Sequence, residues 1–158
     1  MRVERAVPSD LPGVEALLAA AGLPLEGASE AFATGVVARD GGMILGAAAV
    51  EPYGQAGLLR SVVVAEARRG TGLGRRLVLA AEALARDEGI EELYLLTETA
   101  AGWFPRLGYE VADREEARAA VGESVEFTMV CATATSCTIF TSISSPSRLC
   151  RNRSVTPA

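Results

Sequence analysis

Histidine and lysine are both missing from this sequence, and all 15 basic residues are arginines. Those absences exclude imidazole acid–base chemistry, Ser-His-Asp triads and lysine Schiff bases. Histidine metal sites go with them, and so does a Walker-type phosphate loop, which needs a lysine. A general base must then be a carboxylate, a tyrosine, a cysteine thiolate, a chain terminus or water. No apolar run reaches membrane-spanning length, and the opening "MRVERAVPSD" lacks the apolar centre of a signal peptide. A cytoplasmic protein without a membrane partner is expected. Aromatic residues are scarce at 5% and the net charge is −5, which argues against a nucleic-acid partner. Cys131, Cys137 and Cys150 match no standard zinc spacing. An odd number of cysteines in a cytoplasmic chain reads as free thiols, and no metal is expected.

What is present suits one soluble domain: 158 residues, 49% of them hydrophobic, are enough for a core. Residues 2–6 can form a strand. "PSDLPGVEALLAAAGL" reads as a helix with Ser9 or Asp10 as N-cap, Gly22 as the stop, and Leu11, Val14, Leu17 and Leu18 on one face. Asp40-Gly41-Gly42 turns a hairpin between strands at 33–39 and 43–51, and a third strand follows at 57–64. "LGRRLVLAAEALARDEG" is a helix with an apolar stripe that includes Leu73, Leu77, Ala81 and Leu84. A buried strand "EELYLLT", a short helix "TAAGWFPRL", a strand "YEVAD", a polar helix at 114–121 and a final strand at about 123–131 complete the order. The expected class is mixed α/β (α+β), with a single, mainly antiparallel central sheet flanked by helices. Residues 138–158 are rich in Ser, Thr, Pro and Arg and hold no acidic residue. They read as a disordered or appended tail, leaving the domain at 1–137.

The most informative stretch is "LLRSVVVAEARRGTGLGRRL", from Leu58 to Leu77. A strand of β-formers ends in three valines, and "RGTGLG" then opens a helix. Glycines there let the backbone approach a ligand closely, and the first N–H groups of the helix with its dipole favour an anion such as pyrophosphate. Alone, the motif is also compatible with a tight strand-to-helix turn that binds nothing. A dinucleotide fingerprint fits poorly, because Arg75 stands where its third glycine should be.

"VVV" at 62–64, five residues, then "RGTGLG" resembles the acetyl-CoA site of the GNAT superfamily of N-acetyltransferases. That family's pattern R/Q-x-x-G-x-G/A is filled by Arg69, Gly72 and Gly74, and "WFPRLGYEV" at 103–111 is similar to its later aromatic signature. The likeness runs from about residue 2 to 130. Within the superfamily, stretches such as "ARDGG", "ELYLLTETAAGWFPRLGYE" and "DREEARAA" resemble small arsenic-resistance-associated N-acetyltransferases.

The resemblance implies a GNAT-like acyl-CoA-binding fold and direct transfer of an acetyl group from acetyl-CoA, as co-substrate, to the primary amine of a small molecule. It implies that the strand before the glycine loop parts from its neighbour at a bulge. Val62 and Val64 would then hold the pantetheine arm through their backbone, an N–H near Val62 or Val63 would polarise the thioester carbonyl, and the backbone of Arg69, Gly70, Thr71, Gly72, Leu73, Gly74 and Arg75 would hold the pyrophosphate. Direct attack needs a neutral amine, so a carboxylate base is sought: Glu51 first, Glu98 second, each alternatively a solvated strand-end charge. Arg60, Ser61 and Tyr53 are candidates for holding the acceptor. Many relatives carry a general-acid tyrosine at the position of Phe104, which has no proton to give; Thr97, Thr99, Tyr94 or water are the substitutes. A peptide or protein N-acetyltransferase, or a non-catalytic acyl-CoA sensor, are the alternatives, and either a monomer or a homodimer is expected.

Overall fold

The structure, a computed structural model, describes residues 1–124, 127–128 and 137–142. Strand β1 (Arg2–Arg5) precedes helices α1 (Leu11–Ala20) and α2 (Ala28–Ala31). A meander of β2 (Gly35–Asp40), β3 (Met43–Tyr53) and β4 (Ala56–Val64) leads into α3 (Leu73–Asp87). Then come β5 (Glu92–Thr97), β6 (Tyr109–Val111), α4 (Arg114–Val121) and β7 (Thr138–Ser142). The seven strands form one sheet in the order β1-β2-β3-β4-β5-β7-β6. Every pairing is antiparallel except β4 with β5. The expected class is what the chain adopts.

Alternation along the strands sends their side chains to two faces. On one face Val36, Ala38, Leu59, Leu93 and Leu95 pack against Leu73, Leu77, Val78, Ala81 and Ala85 of α3. On the other, Val37, Ala47, Ala49 and Val63 lie under Val14 and Leu18 of α1 and Ala28 and Ala31 of α2. Leu58, Tyr94 and Ile139 continue that second face beneath Ala117 and Val121 of α4. Burying one such Leu or Val fully stabilises the fold by about 1.5–3 kcal/mol. Gly41 and Gly42, at φ of 57° and 86°, supply the left-handed turn that the β2–β3 hairpin needs.

Asp10 stands at the start of α1, but its carboxylate points backward. It accepts from the Val7 amide at 2.9 Å and pairs with Arg39 at 2.6 Å, so β2 is fastened to the helix entry instead of the helix being capped.

The end of the sheet corrects the sequence reading. The strand expected at 123–131 does not occur where it can be seen: Glu123 and Ser124 form a turn, and Thr128 donates back to the Ser124 carbonyl at 3.0 Å. Residues 125–126 and 129–131 lie outside the described residues. The strand is instead Thr138–Ser142, inside the segment expected to be a tail, and it bonds to β5 on one side and β6 on the other. Thr, Ile and Phe are strong β-formers, and Ile139 and Phe140 are buried. The rest of that segment, 143–158, lies outside the described residues. Cys137 is disulfide-bonded rather than a free thiol, its partner lying outside the described residues.

Candidate active site

Strands β4 and β5 run parallel and in register only at Ala56↔Glu92, Gly57↔Leu93 and Leu58↔Tyr94. Beyond Leu58 they part, although β4 continues to Val64 and β5 to Thr97. The cause is visible on the other edge of β4. Ala47 faces Val63 and Ala49 faces Arg60, so Ser61 and Val62 together oppose Ala48. This extra residue is a β-bulge, which bends the strand away from β5. Ser61 sits in it at φ 56°, the one non-glycine positive φ among the described residues.

The opening is a cleft of about 160 Å³ with Ser61 and Val62 on one wall and Leu96, Thr97 and Thr99 on the other. Leu23 and Pro24, from the α1–α2 connection, border it, as do Trp103 and Phe104. At the far end of β4 the glycine turn begins. Gly70 and Gly72 have φ of 77° and 83°, and Gly72 is the residue before α3. Helix α3 begins at Leu73, so the amides of Leu73, Gly74 and Arg75 face out of the helix end without intrahelical partners. A Cβ on Gly74 would stand 3.2 Å from the Trp103 ring. That glycine lets the wall of the cleft lie directly on the helix.

Four of the candidate side chains meet in one network. The Arg60 side chain is fully buried. Its Nη1 donates to Glu51 Oε1 at 3.0 Å, its Nη2 to the Glu26 carbonyl at 2.7 Å and its Nε to Ser61 Oγ at 3.2 Å. Glu51 also accepts from Tyr53 Oη at 2.7 Å and from Ser124 Oγ at 3.1 Å. Burial, with the bond to Glu51 second, pushes the Tyr53 phenol up to about 12. Both carboxylate oxygens of Glu51 are therefore engaged. That arrangement suits an anchor for Arg60 better than a base waiting for a proton. Glu98, the second candidate, lies exposed just past β5 and outside this network.

Phe104 is buried, with its ring 4.9 Å from Trp103 and 5.7 Å from Tyr109, both edge to face. Tyr94 points the other way, its hydroxyl 3.3 Å from Glu116 of α4. Thr97 Oγ1 accepts from the Ala100 amide at 2.9 Å.

The sequence did not single out Ser124, the Glu26 carbonyl, Leu23 or Pro24. Ser124 comes 73 positions after Glu51 and carries no local motif. Gly27 was the available signal for the Glu26 turn: it has φ 75°, and a Cβ there would stand 3.0 Å from Arg60 Nη1.

A strand pair that parts at a bulge, followed by a glycine turn into a helix, defines an acyltransferase-type fold. Residues 31–111 match the family described as Acetyltransferase (GNAT) domain. The chain belongs to that family. It is 38% identical over 75 residues to an uncharacterised N-acetyltransferase of Chlorobaculum tepidum, covering 47% of this chain and 48% of that protein. It is 39% identical over 70 residues to the amino-acid acetyltransferase of Ralstonia nicotianae, covering 43% of this chain and 16% of that one. The chain thus spans half or less of these relatives. Among solved structures, N-acetylglutamate synthase from Neisseria gonorrhoeae, complexed with coenzyme A and N-acetyl-glutamate, superposes with a TM-score of 0.73 at 21% identity. That match covers 89% of this chain and 34% of the other. A Mycobacterium tuberculosis protein in complex with CoA gives 0.74 at 22%, covering 90% and 98%. These likenesses are of fold.

Among the described residues no group of His, Cys, Asp or Glu could hold a metal ion, and no helix is long and apolar enough to cross a membrane.

Proposed function

We propose that this protein transfers the acetyl group of acetyl-CoA directly to the primary amine of a small molecule. The observation that carries this reading is the parting of β4 and β5 after Leu58↔Tyr94, beside the glycine turn. Acetyl-CoA would supply the activated acetyl group. The backbone groups of Val62, Val63 and Val64, no longer paired to β5, suit a pantetheine arm, and the amides from Arg69 to Arg75 suit a pyrophosphate. A preorganised N–H at the thioester oxygen would contribute about 2.7–4 kcal/mol. The acceptor would lie in the cleft that Ser61 lines together with Leu23 and Pro24. Arg60 serves it indirectly, by holding the Glu26 carbonyl, and Tyr53 and Glu51 brace Arg60. An arsenic-linked amine as acceptor is supported by the sequence stretches quoted above rather than by the geometry. A cytoplasmic monomer or homodimer fits the composition.

Calorimetric titration of acetyl-CoA into the full chain tests the cofactor, with nucleotides lacking pantetheine as controls. Micromolar binding that Gly72→Glu abolishes is expected; no binding by the folded chain would remove the reading. The second reading, an acyl-CoA sensor without catalysis, is favoured by the engaged Glu51 and the proton-less Phe104. Binding without turnover across a broad panel of amines would select it.

A further inference from the structure

The network leaves one hydroxyl with an unusual set of partners. Ser61 Oγ accepts from the buried guanidinium of Arg60 at 3.2 Å, while its own proton has no acceptor in hydrogen-bonding reach among the described residues. The residue lines the cleft next to Val62, in the bulge that opens it. A side chain other than glycine is held there at φ 56°, a conformation that costs free energy and persists only where its surroundings enforce it. Of the other candidate hydroxyls, Thr99 lines the cleft but is exposed. Thr97 receives only a backbone amide, and Tyr94 is turned to α4. A guanidinium donating to a hydroxyl oxygen favours negative charge on that oxygen, so the hydroxyl gives up its proton more readily.

We propose that Ser61 is the proton shuttle of the acetyl transfer. This rests on the acetyltransferase reading. As the neutral amine nitrogen bonds to the acetyl carbon and the carbon–sulfur bond breaks, Ser61 Oγ–H gives its proton to the departing sulfur. The same oxygen takes a proton from the nitrogen, while Arg60 Nε stabilises the charge that passes through it. One proton has moved from nitrogen to sulfur, the serine ends as it began, and no further reactant is consumed. This single hydroxyl supplies both the acid that Phe104 cannot be and the base that Glu51 is too engaged to be.

Ser61→Gly tests the proposal, because glycine accepts the positive φ while the hydroxymethyl group, and with it the hydroxyl, is removed. The expected result is a kcat lower by about 100-fold, in the range of a lost proton-transfer group. Acetyl-CoA affinity by calorimetry should be unchanged, and Tm should move by only a few degrees, because relief of the positive φ offsets the lost bond from Arg60 Nε. A second readout needs no turnover. Thiolate absorbance of bound CoA, followed against pH, should show the thiol ionising at lower pH in the wild type than in the glycine variant. A kcat equal to wild type, or a loss that lies wholly in weaker acetyl-CoA binding, would overturn the shuttle alone. A wild-type chain that neither binds acetyl-CoA nor acetylates any amine would overturn the acetyltransferase reading beneath it.

Discussion

Arg60 and Glu51 meet diagonally across strands β4 and β3 at 3.0 Å, with the arginine side chain fully buried. A buried pair of this kind contributes little over a hydrophobic replacement, but breaking it strands a charge. Glu51→Gln should cost about 3–5 kcal/mol and lower Tm by roughly 10 °C. Adding Arg60→Met should cost less than the sum of the two single changes. If Glu51 braces rather than reacts, turnover of Glu51→Gln at a temperature where it is folded should stay within a few-fold of wild type. A loss of several hundred-fold there would restore Glu51 as the base.

Gly27 is held twice, by φ 75° and by the Arg60 Nη1 atom 3.0 Å from where a Cβ would stand. Gly22 has a similar φ of 69° but nothing within 4 Å. Gly22→Ala should therefore show the backbone term alone, about 1–2 kcal/mol, and Gly27→Ala should cost more. Chemical denaturation of both variants measures the difference. Equal costs would mean that the arginine yields.

Two tyrosines make the fold alkali-sensitive. Burial and Glu51 raise Tyr53 to about 12, and burial followed by the neighbouring Glu82 raises Tyr109 strongly as well. In the unfolded chain both ionise near 10. Their contribution is thus fully present below pH 10 and is lost as pH climbs towards 12, because the unfolded state gives up its protons first. Tm should fall across that window, and less steeply in a chain carrying Tyr53→Phe and Tyr109→Phe. Parallel slopes would assign the alkaline loss to other groups.

Tyr109 Oη donates to Glu82 of α3 at 2.8 Å, and Tyr109 also pairs with Ser142 of β7. Ending the chain after Cys137 removes β7 and leaves β5 and β6 without their shared neighbour. That truncation should fail to fold cooperatively by circular dichroism. One ending after Ser142 should keep a cooperative transition. A stable product from the shorter chain would make β7 dispensable.

How much of this was legible depended on whether the signal was local. The β2–β3 turn at Gly41-Gly42, the stripe of α3 and "RGTGLG" are contiguous patterns, and each stands where the sequence put it. Strand β7 was missed because its five residues are embedded in a Ser- and Thr-rich stretch whose composition outweighs them. The residues of the network around Glu51 come from four places in the chain, Glu26, Tyr53, Arg60 with Ser61, and Ser124, and folding brings these together. Sequence could propose Glu51 as a base because it sees a carboxylate. It could not see the donors that occupy that carboxylate.

The placement of β7 also governs the order in which the protein can be completed. It is the last of the described strands to be synthesised, yet it lies inside the sheet, between two strands made well before it. While the chain is still emerging from the ribosome, Glu92–Thr97 and Tyr109–Val111 each expose a row of peptide groups that nothing nascent can pair. Such open rows recruit other chains as readily as their own. Expression yield should accordingly depend on how soon translation reaches Thr138–Ser142, and a pause shortly before that point would favour aggregation over assembly.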